Sequence, residues 1–175
     1  GTTLWKTSTE YRWAATEDAP FYAYANIPES GATIDATSSA QTLEHTVPTA
    51  SSTQQDILMG YYQGTPGYDE TLHKGGIAEV KFYHPLTAVR FKKGSFEGFT
   101  DEQVEFKSIS IKGVYTSGTA TMNPTTMLET DCGDFFDWDT EGSSTQTVTM
   151  TPESGTSLTG DANGFIGDTF LLIPQ

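Results

Sequence analysis

Asp137, Asp139, Glu141 and Gly142 fall at the first, third, fifth and sixth places of a calcium-loop pattern. Carboxylates at alternate positions ahead of a glycine turn supply the oxygen ligands that a hard divalent cation takes. The twelfth place is Val148, where the pattern needs a bidentate carboxylate, so the match fails at its strongest ligand. These residues are weak calcium candidates, and no metal centre is expected. The plainer reading is an acidic loop over residues 131–142, with Trp138, Phe135 and Phe136 packing underneath.

Other catalytic chemistry has thin support. His45, His73 and His84 stand in different segments, and none has a second ligand at metal spacing. His84 lies between Phe82 and Leu86 at inward parity, a place for a hydrogen-bonded structural histidine. Cys132 sits between Asp131 and Asp134, and neighbouring carboxylates raise a thiol's pKa rather than lower it. No serine nucleophile elbow, phosphate-cradling glycine loop or zinc helix is present, so neither catalytic residues nor a cofactor is expected. A glycosidase pair among 23 acidic residues would need a deeper cleft than a sandwich with short loops offers.

The aromatic residues are the remaining chemical resource, with 8 Tyr, 3 Trp and 10 Phe able to stack on sugars. Trp5, Tyr11, Trp13, Tyr61, Tyr62 and Tyr68 are the candidates, with Trp13, Tyr61, Tyr62 and Tyr68 the preferred set. Core or rim packing is the competing explanation for each. A net charge of −14 repels phosphate backbones and anionic lipid, so nucleic-acid and membrane-surface partners are not expected. One cysteine permits no intrachain disulfide, and no stretch reads as a membrane span.

The elements that must position these residues are short strands. The chain of 175 residues is 35% hydrophobic and 18% charged, with 17 Gly and a visible excess of Ser and Thr. Such material favours strands with polar outer faces and many turns. Residues 20–25 alternate aromatic and small side chains. Residues 145–151 alternate strictly, which turns Val148 and Met150 inward. Residues 56–62 read as a strand, and residues 27–53 as loop with one weak strand near 42–47. Residues 77–91 read as one long strand with Val80, Phe82, His84 and Leu86 on its inner face. Val89 and Phe91 continue one residue out of step, which predicts a bulge near Thr87 and Ala88. Residues 104–114 alternate with a similar slip, and residues 118–124 form a short strand ending in a turn. A strand or single helical turn is expected over 126–129. Residues 169–173 are apolar enough for a strand covered on both faces. No helical period persists over three turns. Eight to ten short strands in one domain predict an all-β, antiparallel β-sandwich.

Taken in order, these segments resemble the fimbrillin family of bacterial surface pilin and adhesin proteins. The matching pieces are Phe21-Tyr22-Ala23-Tyr24-Ala25, Gln55-Asp56-Ile57-Leu58-Met59-Gly60 and the run from Val80 to Phe91 with its Phe-x-His-x-Leu-x-x-Val pattern. Ile109-Ser110-Ile111-Lys112-Gly113-Val114 with Gly118-Thr119-Ala120 resembles the hairpin that follows. Phe170-Leu171-Leu172-Ile173-Pro174-Gln175 is similar to the family's terminal Leu-Ile-Pro-Gln. The resemblance implies a transthyretin-like, Greek-key sandwich over residues 1–175. It also implies a fragment lacking upstream strands and a second C-terminal domain. It further implies a non-catalytic, exported, cell-surface subunit associated with the outer membrane. Its partners would be other fimbrial subunits, joined by strand exchange. Membrane attachment would come only through a lipid anchor absent from this chain. The alternative is a secreted lipoprotein's module that binds a host ligand or surface glycan.

Overall fold

Alternating aromatic and small residues put β1 (Ala19–Ala25) in extended form, and its register with β4 (Leu58–Gly64) pairs ring with ring. Phe21 stands opposite Tyr62 with ring centroids 5.9 Å apart, and Tyr22 opposite Tyr61 at 5.1 Å. Each tilted cross-strand pair adds about 0.5–1.5 kcal/mol beyond its area burial. The computed structural model describes residues 19–35, 41–64, 80–94, 98, 105–123, 135–151 and 164–175.

The described residues form eleven strands, one short 3-10 turn (Ser51–Thr53) and no α-helix. The fold is all-β and sandwich-like, built from antiparallel sheets. The remaining strands are β2 (Ala32–Asp35), β3 (Thr42–Thr46), β5 (Lys81–Tyr83), β6 (Thr87–Lys92), β7 (Ile109–Tyr115), β8 (Ser117–Met122), β9 (Phe136–Asp139), β10 (Thr145–Met150) and β11 (Phe165–Leu172). One sheet runs β1-β4-β5, a second β2-β3-β8-β9, and two pairs are β10-β7 and β11-β6.

Two clusters of buried side chains divide the molecule. The larger lies between the first two sheets and includes Leu43, Met59, Tyr61, Ala120, Met122 and Phe135. The smaller gathers Val114, Val148, Met150, Phe170 and Leu172 from the two pairs. Strand β11 serves both, because Phe170 and Leu172 enter the smaller cluster while Leu171 and Ile173 pack on the larger. That is the two-sided burial its apolar run predicts.

The segment after β3 ties the clusters together. The Val47 N–H donates to the Thr116 carbonyl at 2.7 Å, and the Thr149 N–H to the Thr49 carbonyl at 2.7 Å. The Gln54 side chain then stands in for a missing strand: its Oε1 accepts from the Leu171 N–H at 2.8 Å, and its Nε2 donates to the Pro48 carbonyl at 2.9 Å.

Four sequence expectations change. The stretch read as one strand from 77 to 91 is two strands in different sheets, since β5 pairs with β4 and β6 with β11. Pro85 has no N–H to donate, and the chain crosses between sheets at that point. Parity in β5 is the reverse of that expected: Tyr83 turns inward, whereas Phe82 is 45 % exposed and His84 also faces out. The predicted bulge is not at Thr87 and Ala88. The irregularity lies on β11 between Ile166 and Phe170, opposite Arg90. Finally, β2 and β9 arise where loop was expected, because a four-residue strand is too short to show its period in sequence.

The slip in β7 does occur. Gln146 pairs with Val114 and Thr147 with Lys112, leaving Gly113 bulged at φ +74°. The extra residue returns Val114 to the buried side beside Ile109 and Ile111. Residues 126–129 lie outside the described residues.

Candidate functional site

The crossover at Pro85 creates an open apolar groove. Its volume is about 380 Å³, and Phe82, Tyr83, Pro85, Leu86, Phe135, Phe136 and Pro174 provide most of its wall, with His84 and Thr87 at the rim. Each side is held by a specific contact. The Tyr83 and Phe135 rings meet at 4.3 Å between centroids. The Trp138 indole N–H donates to the Pro85 carbonyl at 2.9 Å, pairing an oxygen that has left the strand ladder. His84 Nδ1 lies 2.8 Å from an Asp56 carboxylate oxygen. A carboxylate only accepts, so the Nδ1 proton is on the histidine. His84 is therefore hydrogen-bonded, as its place in the sequence suggests, but on the surface.

Behind the groove, β5 is pressed against β4. A Cβ on Gly60 would come within 2.6 Å of the Lys81 carbonyl oxygen and 2.8 Å of Val80. Only glycine lets the two backbones approach this closely. Among the described residues β5 pairs with β4 alone, and its residues Phe82 and Tyr83 line the groove. Unpaired main-chain groups beside an apolar trough can take up an extended peptide through ladder hydrogen bonds and a buried side chain.

The sequence-derived candidates are dispersed. Tyr61 is 6 % exposed and belongs to the larger cluster, with burial pushing its hydroxyl pKa up. Tyr62 is half-buried against Phe21. Trp5, Tyr11, Trp13 and Tyr68 lie outside the described residues, as do His73, Asp131, Cys132 and Asp134. Asp137 and Asp139 project from the exposed side of β9, not from a loop. Asp139 Oδ1 instead accepts the Glu141 backbone N–H at 2.8 Å, closing the turn that Gly142 completes at φ +79°. Among the described residues no group of three or more His, Cys, Asp or Glu side chains is placed to hold a metal ion. No described helix is long and apolar enough to cross a membrane.

Sequence reasoning missed the groove because it assigned Phe82 to the core. The available signal was Pro85, which marks where an alternating run must stop.

Two further polar side chains, Tyr24 half-buried and His45 buried, lie away from the groove. Tyr24 donates its hydroxyl to Gln41 Oε1 at 3.3 Å, and burial pushes its pKa up to about 12. His45 is 2 % exposed on β3, and its Nδ1 has no hydrogen-bond partner among the described residues. Burial holds its pKa below the usual value, against a smaller opposing effect from a hydrogen bond to the Gly31 backbone.

No family model, curated protein or solved structure matches the chain.

Proposed function

We propose that the protein is a non-catalytic cell-surface subunit of a fimbria, or a fimbria-associated adhesin, which assembles by accepting a strand from another subunit beside β5. The observation that carries this reading is that β5, among the described residues, pairs with β4 alone and lies next to the apolar groove, with Phe82 45 % exposed. An exposed apolar edge invites pairing, and natural sheets generally protect such edges unless pairing is their purpose. A donated strand would add main-chain hydrogen bonds to β5 and place one apolar side chain between Phe82 and Phe136. The ordered resemblance of five sequence segments to fimbrillins supports the same assignment. An exported, outer-membrane-associated protein fits that reading.

The test is sedimentation velocity over a concentration series with the 175-residue chain and its Phe82→Asp variant. The expected result is concentration-dependent association that the variant loses while keeping the same melting temperature. Equal association in both proteins would overturn the assignment. Saturable binding to one polysaccharide by a protein that never self-associates would replace it with a glycan-binding module.

A further inference from the structure

His45 stands on β3 between Ala32 of β2 and Gly118 of β8, at the same inward parity as the buried Leu43 and Val47. A hydrogen bond to the Gly31 backbone favours the charged ring, so that bond is an imidazole N–H given to the Gly31 carbonyl. Nδ1 has no partner among the described residues, which assigns the donor to Nε2 and leaves Nδ1 a bare acceptor in the neutral ring. The same Gly31 carbonyl accepts the Thr46 N–H at 2.8 Å. One oxygen therefore ties both the β3 backbone and its histidine to the residue that enters β2.

A proton added at Nδ1 makes a second donor with no acceptor, and no described charge compensates it. Glu44 beside His45 and Asp35 at the far end of β2 are exposed at outward parity, and Glu29 ahead of Gly31 is exposed as well. Strand β8 carries no ionisable residue, and Asp137 and Asp139 lie on the exposed side of β9. Across the core, β1 and β4 bring the hydroxyls of Tyr22, Tyr24 and Tyr61, Asp56 is engaged by His84 at the surface, and Lys81 of β5 is exposed and of the wrong sign. A buried cation without a counter-charge loses its proton or opens its surroundings. The weakest surrounding element is β2. It is four residues long, ends its sheet among the described residues, and packs on the cluster only through the partly buried Ala32 and Ile34.

We infer that His45 is an acid-operated latch, whose protonation releases Gly31 and β2 from β3 while β3, β8 and β9 stay paired. Release carries the ring to water and uncovers Leu43, which Ile34 faces across the pair. Below pH 6.5 the released state holds the proton and the latched state does not, so release is favoured by up to about tenfold per pH unit until the folded ring titrates. The opening happens within one chain and does not depend on the proposed function.

Hydrogen exchange followed by NMR at pH 7 and pH 5, with intrinsic rates divided out, tests the latch. Protection at Thr46 and at the β2 amides bonded to β3 is expected to fall about tenfold at the lower pH, while Ile111 and Val148 keep theirs. His45→Gln retains a side-chain N–H for the Gly31 carbonyl but cannot titrate, so the fall should vanish there and persist in His84→Ala. Unchanged protection at Thr46, an equal loss in both halves, or a fall that His45→Gln retains would overturn the inference. If His45→Gln does not fold, a wild-type pH series decides. A fall at Thr46 that sets in near pH 6.5 supports the latch, and one that begins only below pH 5 belongs to carboxylates and overturns it.

Discussion

The two core clusters bury their strands by different means. The larger sits between a three-stranded and a four-stranded sheet and keeps polar groups at its margin, including Gln41, His45 and the Tyr24 hydroxyl. The smaller is held by two strand pairs and consists of aliphatic residues and phenylalanine, with Phe91 edge-on to Phe170 at 5.9 Å. A wide sheet satisfies its backbone internally and leaves its core room for polar side chains. Two narrow pairs leave more edge, so the smaller half depends on close apolar packing and on borrowed hydrogen bonds such as that of Gln54.

Cavity formation separates the halves most sharply. Phe170→Ala should destabilise by about 3–5 kcal/mol, and Leu43→Ala, equally buried in the larger cluster, by about 2–5 kcal/mol. Urea denaturation read by tryptophan fluorescence and by far-UV circular dichroism tests whether the halves unfold together. Coincident curves for Phe170→Ala mean one cooperative unit. Separated curves, with Trp138 still native, mean that the smaller half melts first.

The link between the halves gives the next effect. Gln54→Ala removes the acceptor for the Leu171 N–H and the donor to the Pro48 carbonyl. A loss of about 1–3 kcal/mol is expected, since a part-buried N–H is left unpaired. Hydrogen exchange at Leu171 should accelerate, and an unchanged rate would mean that Gln54 does not couple the clusters.

His45 contributes a pH dependence confined to the larger half. Its folded pKa lies below the usual value of 6.5, chiefly because burial penalises the charged ring. The unfolded chain therefore takes up the proton first. The contribution is fully present above pH 6.5 and falls away as pH drops towards the folded pKa. Melting temperatures across this window should fall more steeply for wild type than for His45→Leu, and parallel slopes would dismiss the effect. The smallest change belongs to the surface. His84→Ala removes an exposed pair with Asp56 and should cost about 0–1 kcal/mol in chemical denaturation. A larger loss would show that the Pro85 crossover depends on that pair.

Legibility followed the length of each alternating run. Residues 145–151 displayed their period, and Val148 and Met150 are buried in β10 as expected. The apolar series over residues 104–114 signalled a slip without placing it, and β7 puts it at Gly113, where the gained residue keeps Val114 on the buried face. Phe82 misled because it fits an alternating run that looks continuous, whereas β5 ends at Tyr83, two residues before Pro85. Asp137 and Asp139 were legible as an acidic series but not as one face of a strand, since the four residues of β9 owe their shape to pairing with β8.

The sequence by itself determined that the chain is all-β, that the run over 145–150 is a strand with Val148 and Met150 inward, and that the apolar run over 169–173 is covered on both faces. Those properties follow from a two-residue period that neighbouring side chains express locally. Tertiary structure alone decided that residues 80–91 divide between two sheets and that Tyr61 is core while Phe82 is surface. Strand partners and burial are set by contacts between residues far apart in the chain, such as Trp138 with Pro85 and Leu171 with Gln54. No local period encodes which distant edge a strand will meet.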